Sequence, residues 1–197
     1  MTKSNNRESQ YPIEPIFLDR WSPRAFTGEV IPESDLLGIL DAAHWAPSSA
    51  NQQPWRFIYT LNGADDWDVF VSLLVESNQE WAKHASALIF VVSKDFSGDF
   101  SEGRKSYTHS FDAGAAWAYL ALQAKLSGFY AHGMGGIKHG EIRETFSIPE
   151  GYRVEAGIAV GRLADKSVLS ERNQEREFPS QRKQLDEVAF NGKFIAG

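Results

Sequence analysis

Cysteine is absent from this 197-residue chain, which excludes disulfides, thiolate zinc sites and thiol nucleophiles. An excess of positive charge is absent too: 20 Lys and Arg against 26 Asp and Glu leave a formal net charge of -6. Binding a nucleic-acid backbone needs a clustered basic face, and the densest basic runs are pairs such as Arg104-Lys105 and Arg182-Lys183. No apolar run approaches the roughly 18 residues of a membrane span. The opening MTKSNNRESQYP lacks the apolar region of a secretory signal. Neither a nucleic acid nor a membrane is expected as partner, and a cytoplasmic location is.

What the chain does have is an ordinary apolar share, 42%, and a generous aromatic content with six Trp and thirteen Phe. This suits one domain with a full core. Residues 1–15 are polar and read as a flexible leader, and residues 16–197 read as the domain. Pro32, acidic Glu33 and Asp35, and apolar Leu36, Leu37, Leu40 and Ala43 predict a helix ending near Trp45, before Pro47. WRFIYTL at 55–61 reads as a strand, 64–83 as a helical stretch, and the wholly apolar ALIFVVS at 87–93 as a strand buried on both faces. Residues 106–126 read as a helix rich in small residues, Ala113, Gly114, Ala115, Ala116, Ala118, Ala121 and Ala124, with Gly128 as its cap. So many small side chains invite close helix–helix contact, including across a dimer axis. KHGEIRETF starts another short helix, and 153–162 reads as a strand. From Asp165 to Glu187, eleven of twenty-three residues are charged, so this C-terminal arm is either disordered or laid over another surface.

Three segments could carry chemistry. Arg20 and Arg24 flank Ser22 in RWSPR, and two guanidinium groups around a hydroxyl can address a phosphate; two solvated arginines are the plainer reading. PSSANQQPW at 47–55 holds five amide or hydroxyl side chains in six residues, matching the polar edge of a heteroaromatic ring or forming an ordinary turn. Gly133-Met134-Gly135-Gly136 lets backbone approach a ligand, or simply connects two elements. It is not GxGxxG, so a classical dinucleotide domain is not expected. His44, His132 and His139 lack metal-ligand spacing, Glu141 and Glu144 read as a solvated helix face, and no nucleophile elbow is present. No metal is expected.

In this order, RWSPRAF at 20–26, APSSANQQPWRF at 46–57, DAGAAWAYLALQAKLSGFYAHGMGGI at 112–137 and AVGR at 159–162 resemble the nitroreductase family of FMN enzymes. The resemblance implies an α+β fold, with a central mixed, mainly antiparallel sheet flanked by helices, in an obligate homodimer. It implies FMN at the dimer interface and ping-pong electron transfer from NADH or NADPH to nitroaromatics, quinones or similar small electrophiles. By position, Arg20 and Ser22 would hold the FMN phosphate and ribityl region, and Trp21 would keep a backbone contact. Arg24 would lie near the pyrimidine end and stabilise the charge of the reduced flavin. Pro47, Ser48, Ser49 and Asn51 would come from the other subunit. Asn78 would face the flavin, Gly135 and Gly136 would give backbone contacts near N5, and Arg182 would close on the phosphate. Chemistry would then reside on the cofactor, with no catalytic side chain. Some members carry a second Arg at Trp21 and a Lys near Trp81. Same-fold reductases of enones, aldehydes or halogenated rings remain open, as does a non-catalytic flavin sensor or carrier. The segment from Asp95 to Tyr107 is expected near the pocket mouth.

Overall fold

The structure is a computed structural model and describes residues 1–97 and 103–195. Its elements run β1 (Thr2–Ser4), β2 (Arg7–Ser9), α1 (Ile16–Asp19), α2 (Glu33–His44), β3 (Trp55–Leu61), α3 (Trp67–Ser72), α4 (Glu76–Ala82), β4 (Ala87–Lys94), β5 (Phe96–Ser97), β6 (Arg104–Lys105), α5 (His109–Leu126), β7 (Tyr130–Met134), α6 (His139–Thr145), β8 (Tyr152–Gly161) and α7 (Glu171–Gln174).

The central sheet has the order β3-β4-β8-β7. Every pairing among the described residues is antiparallel, where a mixed sheet is expected from the resemblance. Strand β4 lies between two partners and is buried from Ala87 to Ser93. Its alternation divides the core. Leu88, Phe90 and Val92 enter an apolar layer with α3, α4 and α6, while Ala87, Ile89 and Val91 enter a second layer with α2 and α5. The unbroken apolar run is thus explained by a core on each face of the strand.

Helix α2 follows Pro32, carries Glu33 and Asp35 in its first turn, and buries Leu36, Ile39, Leu40 and Ala43 against α5. On α5, Ala113, Ala116, Leu120, Ala121 and Ala124 face this same layer, so Ala116 is spent on its own chain's core. The opposite face of α5 exposes Phe111, Gly114, Ala118, Tyr119 and Leu126.

One expected helix differs from the observed elements, and the two terminal segments take definite courses. The stretch 64–83 is two helices, because Leu74 leaves helical pairing to bridge Ile137 and Val75 N–H donates to the Gly136 carbonyl at 3.1 Å. The leader segment contains the β1–β2 hairpin, whose Arg7 is buried. The charged arm lies over its own chain: Glu177 accepts from the backbone N–H of Arg24 at 2.8 Å and of Ala25 at 2.9 Å, and Gln181 donates to the Asn6 carbonyl at 2.9 Å. Of the segment expected at the pocket mouth, 98–102 lie outside the described residues; its flanks pair as β5 and β6.

Candidate functional site

Two neighbouring cavities share Ser22 as a wall. The first, about 390 Å³, is where the two ends of the chain meet: Arg7 from the hairpin, Arg20, Trp21, Ser22 and Arg24 from the segment after α1, His132 from β7, and Glu175, Arg176, Phe178, Ser180 and Arg182 from the arm, five arginines against one carboxylate. Arg7, Arg20 and Arg182 have no carboxylate partner among the described residues. Arg7 spends one terminal nitrogen on the carbonyls of Leu18 at 3.0 Å and Arg20 at 2.9 Å, closing the end of α1, and its buried Nε has no hydrogen-bond acceptor. Burial, then the neighbouring Arg182 charge, lowers the pKa of both Arg7 and Arg20. Like charges pressed together and partly dehydrated are unfavourable unless an anion joins them. Arg24 differs. Its guanidinium stands 3.9 Å from Glu177, whose side chain is 3% exposed, and Arg24 lines the arginine cavity rather than its neighbour.

His132 completes that cavity as a neutral group. Its Nδ1–H donates to the Pro23 carbonyl at 2.9 Å, its ring lies 4.6 Å from that of Trp81, and burial pushes its pKa down to about 4, with Arg24 and Arg20 adding to the drop. Trp81 is itself fully buried between His132 and Phe26.

The second cavity, about 380 Å³, is mainly apolar, walled by Val91, Ala113, Gly114, Trp117, Gly133, Met134, Gly135, Ala156 and Ile158 with Ser110 and Glu155 at one side. Glycine matters at two points. A Cβ on Gly133 would stand 3.1 Å from the Trp117 ring, and one on Gly136 would strike Asn78 Nδ2 at 2.7 Å and Val75 at 2.8 Å. Asn78 does not line either cavity; it donates to the Gly136 carbonyl at 3.0 Å and so fixes the glycine segment from behind. Gly135 lines the apolar cavity, and Gly136 sits behind it.

The loop 47–53 stands apart: Pro47, Ser48, Ser49 and Asn51 line neither cavity of their own chain. It is nevertheless built. Ser49 N–H donates to the buried Asp112 at 3.2 Å, Gln53 N–H donates to Ser48 at 2.9 Å, and Ala50, Asn51 and Gln53 all take positive φ. Left-handed Ala and Gln cost of order 1–2 kcal/mol each, so surrounding structure imposes this shape.

Sequence reasoning misses Arg7, which lies in a polar stretch with no pattern, and Glu177, one acid among many in the arm. It also misses Glu155. Among the described residues, no group of three or more His, Asp or Glu is placed to hold a metal ion, and no helix is long and apolar enough to cross a membrane.

Taken with the α+β layers, the site joins an arginine-lined cavity to a mainly apolar one through Ser22. The sequence model of the nitroreductase family matches residues 18–66 and 60–162, and the chain belongs to that family. It is similar to a solved oxidoreductase containing FMN, at 57% identity and TM-score 0.97, with 100% of both chains covered. A Desulfovibrio desulfuricans protein named as a nitroreductase and solved in complex with FMN shares the fold at TM-score 0.73 and 23% identity, over 95% of this chain and 100% of that one. An uncharacterized 15.4 kDa protein of Mycolicibacterium smegmatis is 33% identical over 134 residues, 68% of this chain and 88% of its own.

Proposed function

We propose that this chain is an FMN-dependent oxidoreductase that takes electrons from NADH or NADPH and delivers them to a small electrophile such as a quinone or nitroaromatic. The carrying observation is the convergence of Arg7, Arg20 and Arg182, without carboxylate partners, on a cavity that shares Ser22 with an apolar slot. FMN has the matching parts: a phosphate, a hydroxylated chain and a flat ring. The residues present fit it.

Arg20 and Arg182 hold the phosphate from opposite ends of the sequence, with Arg7 as the third positive charge. Ser22 stands where the polar chain passes from one cavity to the next. Gly133 and Gly135 keep side chains out of the slot and let backbone approach the ring. When bound, the flavin supplies the two-electron chemistry, so the protein contributes position, charge and exclusion of water. Arg24, tied to Glu177, contributes its charge from the phosphate side.

We also assign the functional unit to a homodimer. The exposed apolar face of α5 needs a cover, and the loop 47–51, stiff and polar yet lining neither of these two cavities, would serve a second copy. The named experiment is a titration of the purified chain with FMN, followed by NADH and NADPH oxidation with an added quinone. Absence of flavin uptake sinks the proposal; uptake without turnover reduces the chain to a flavin carrier or sensor.

A further inference from the structure

The mechanism above leaves one buried polar cluster unused. In the pairing of β4 with β8, Val91 faces Ala156 but Val92 faces Val154, so Glu155 is the extra residue of a β-bulge. The consequence is visible in the side chains. Glu155 and Ala156, consecutive in sequence, both line the apolar cavity, and Val154 turns into the opposite core. In a regular strand Val154 would share the face of Ala156 and Ile158, and Glu155 would be driven into the apolar layer behind. The bulge therefore aims a carboxylate into the slot.

That carboxylate has built partners. Ser93, fully buried, has its hydroxyl 2.5 Å from Glu155 Oε1 and 2.7 Å from Nδ1 of His109. Ser110, on the cavity wall, donates to the same Oε1 at 2.7 Å. Arg153, 64% exposed, stands 3.5 Å from Oε2. Ser93 is too enclosed to be a nucleophile. Its geometry suits another task. A hydroxyl owns one hydrogen, so Ser93 cannot donate to both neighbours. Either His109 Nδ1–H donates to Ser93 and Ser93 to an ionised Glu155, or a protonated Glu155 donates to Ser93 and Ser93 to a bare Nδ1. With His109 as imidazolium in the first arrangement, the two hold the same protons and interconvert by a shift across Ser93.

We infer that His109, Ser93 and Glu155 form a proton relay that opens into the cavity at Glu155 and supplies the proton needed when an acceptor is reduced there. This rests on the flavin reading above. The atoms balance for a quinone acceptor: bound FMN, once reduced, would supply two electrons and one hydrogen, Glu155 would supply the remaining proton, and a hydroquinone would result. Ser93 then passes a proton from His109 to the carboxylate, and His109 recovers one from solvent. Glu155 is the residue that meets the acceptor; Ser93 and His109 act through it.

Glu155→Gln keeps the shape and removes the exchangeable proton. The FMN-loaded variant is compared with the native protein using two acceptors, a quinone that needs protons and ferricyanide that takes electrons alone. The ratio of quinone to ferricyanide turnover is expected to fall on the order of 10²-fold, the lower range for a positioned general acid. The ring ¹⁵N signals of His109 are expected to move to those of one fixed neutral tautomer. Equal loss with both acceptors, or an unchanged ratio, overturns the relay. If the native protein takes up no FMN and reduces neither acceptor, the flavin reading fails instead. In that protein, His109 signals that ignore Glu155→Gln also overturn the relay, and signals that respond to it support the hydrogen-bonded chain itself.

Discussion

Arg20 and Arg182, one near each end of the chain, stand on the wall of a single cavity close enough for the charge of Arg182 to lower the pKa of Arg20. Folding brings them together against their repulsion, and the docked arm holds them there through Glu177 and Gln181. If FMN binds as proposed, Arg20→Ala removes a charge-assisted phosphate contact worth roughly 1.5–3 kcal/mol, so FMN affinity should drop about 10- to 150-fold. Quenching of flavin fluorescence on titration measures this. An unaltered Kd would detach Arg20 from the phosphate.

The same repulsion should make the flavin-free protein sensitive to simple anions. Inorganic phosphate that binds only the folded chain should stabilise it by about 2.7 kcal/mol at a hundredfold excess over its Kd, a rise in Tm of roughly 5–10 °C. Arg7→Ala should shrink that rise. Thermal melts in phosphate, against chloride at matched ionic strength, decide it; equal melts in both salts count against an anion site.

The parts of this structure that were legible in sequence are those set by local periodicity. Helix α2 and strands β3 and β4 announce themselves through capping residues, β-branched runs and apolar spacing. The RWSPR and GMGG segments could be named, and Arg20, Trp21, Ser22 and Arg24 do share one wall with Arg182. What could not be read depends on distant partners. Leu74 breaks the helical stretch because Ile137 pairs with it, and β7 escapes notice because Gly133 and the glycines that follow it hide a strand whose register comes from β8. Arg7 gains meaning only when the hairpin folds against the arm, and Glu155 only when a bulge re-aims it.

Glycine at 136 should be far less replaceable than glycine at 135. A methyl on Gly136 meets Asn78 and Val75 below 3.0 Å, whereas one on Gly135 meets nothing within 4 Å. Gly136→Ala must push Asn78 off the Gly136 carbonyl, costing about 1–3 kcal/mol of stability and disturbing the slot. Gly135→Ala should leave denaturant stability near that of the native chain. Comparable midpoints for the two variants would contradict this placement of Asn78.

Stability should also fall in acid through His132. Its folded pKa of about 4 lies below the roughly 6.5 of an unfolded chain, so between those values the unfolded state binds more protons. The contribution is complete above about pH 6.5 and is lost as pH falls toward 4, amounting to about 3 kcal/mol in all. In denaturant melts taken from pH 7 to pH 4, the native chain should lose about 3 kcal/mol more stability than His132→Gln. Parallel curves would show that His132 titrates normally.

The two faces of α5 give opposite expectations for neighbouring small residues. Ala116 is fully buried in its own core, so Ala116→Leu should overpack it and cost about 1–3 kcal/mol while leaving the assembly intact. Ala118 lies on the exposed face with Phe111, which is 78% exposed, and Tyr119. Ala118→Arg should leave the fold stable, because nothing of its own chain opposes the new side chain. In a dimer packed on that face it buries an unpaired charge, which the association cannot absorb. Sedimentation velocity should then show a monomer, with weaker FMN retention because loop 47–51 of the second copy is withdrawn. A dimeric, flavin-loaded Ala118→Arg protein would place the subunit contact elsewhere and leave the exposed α5 face without its assigned cover.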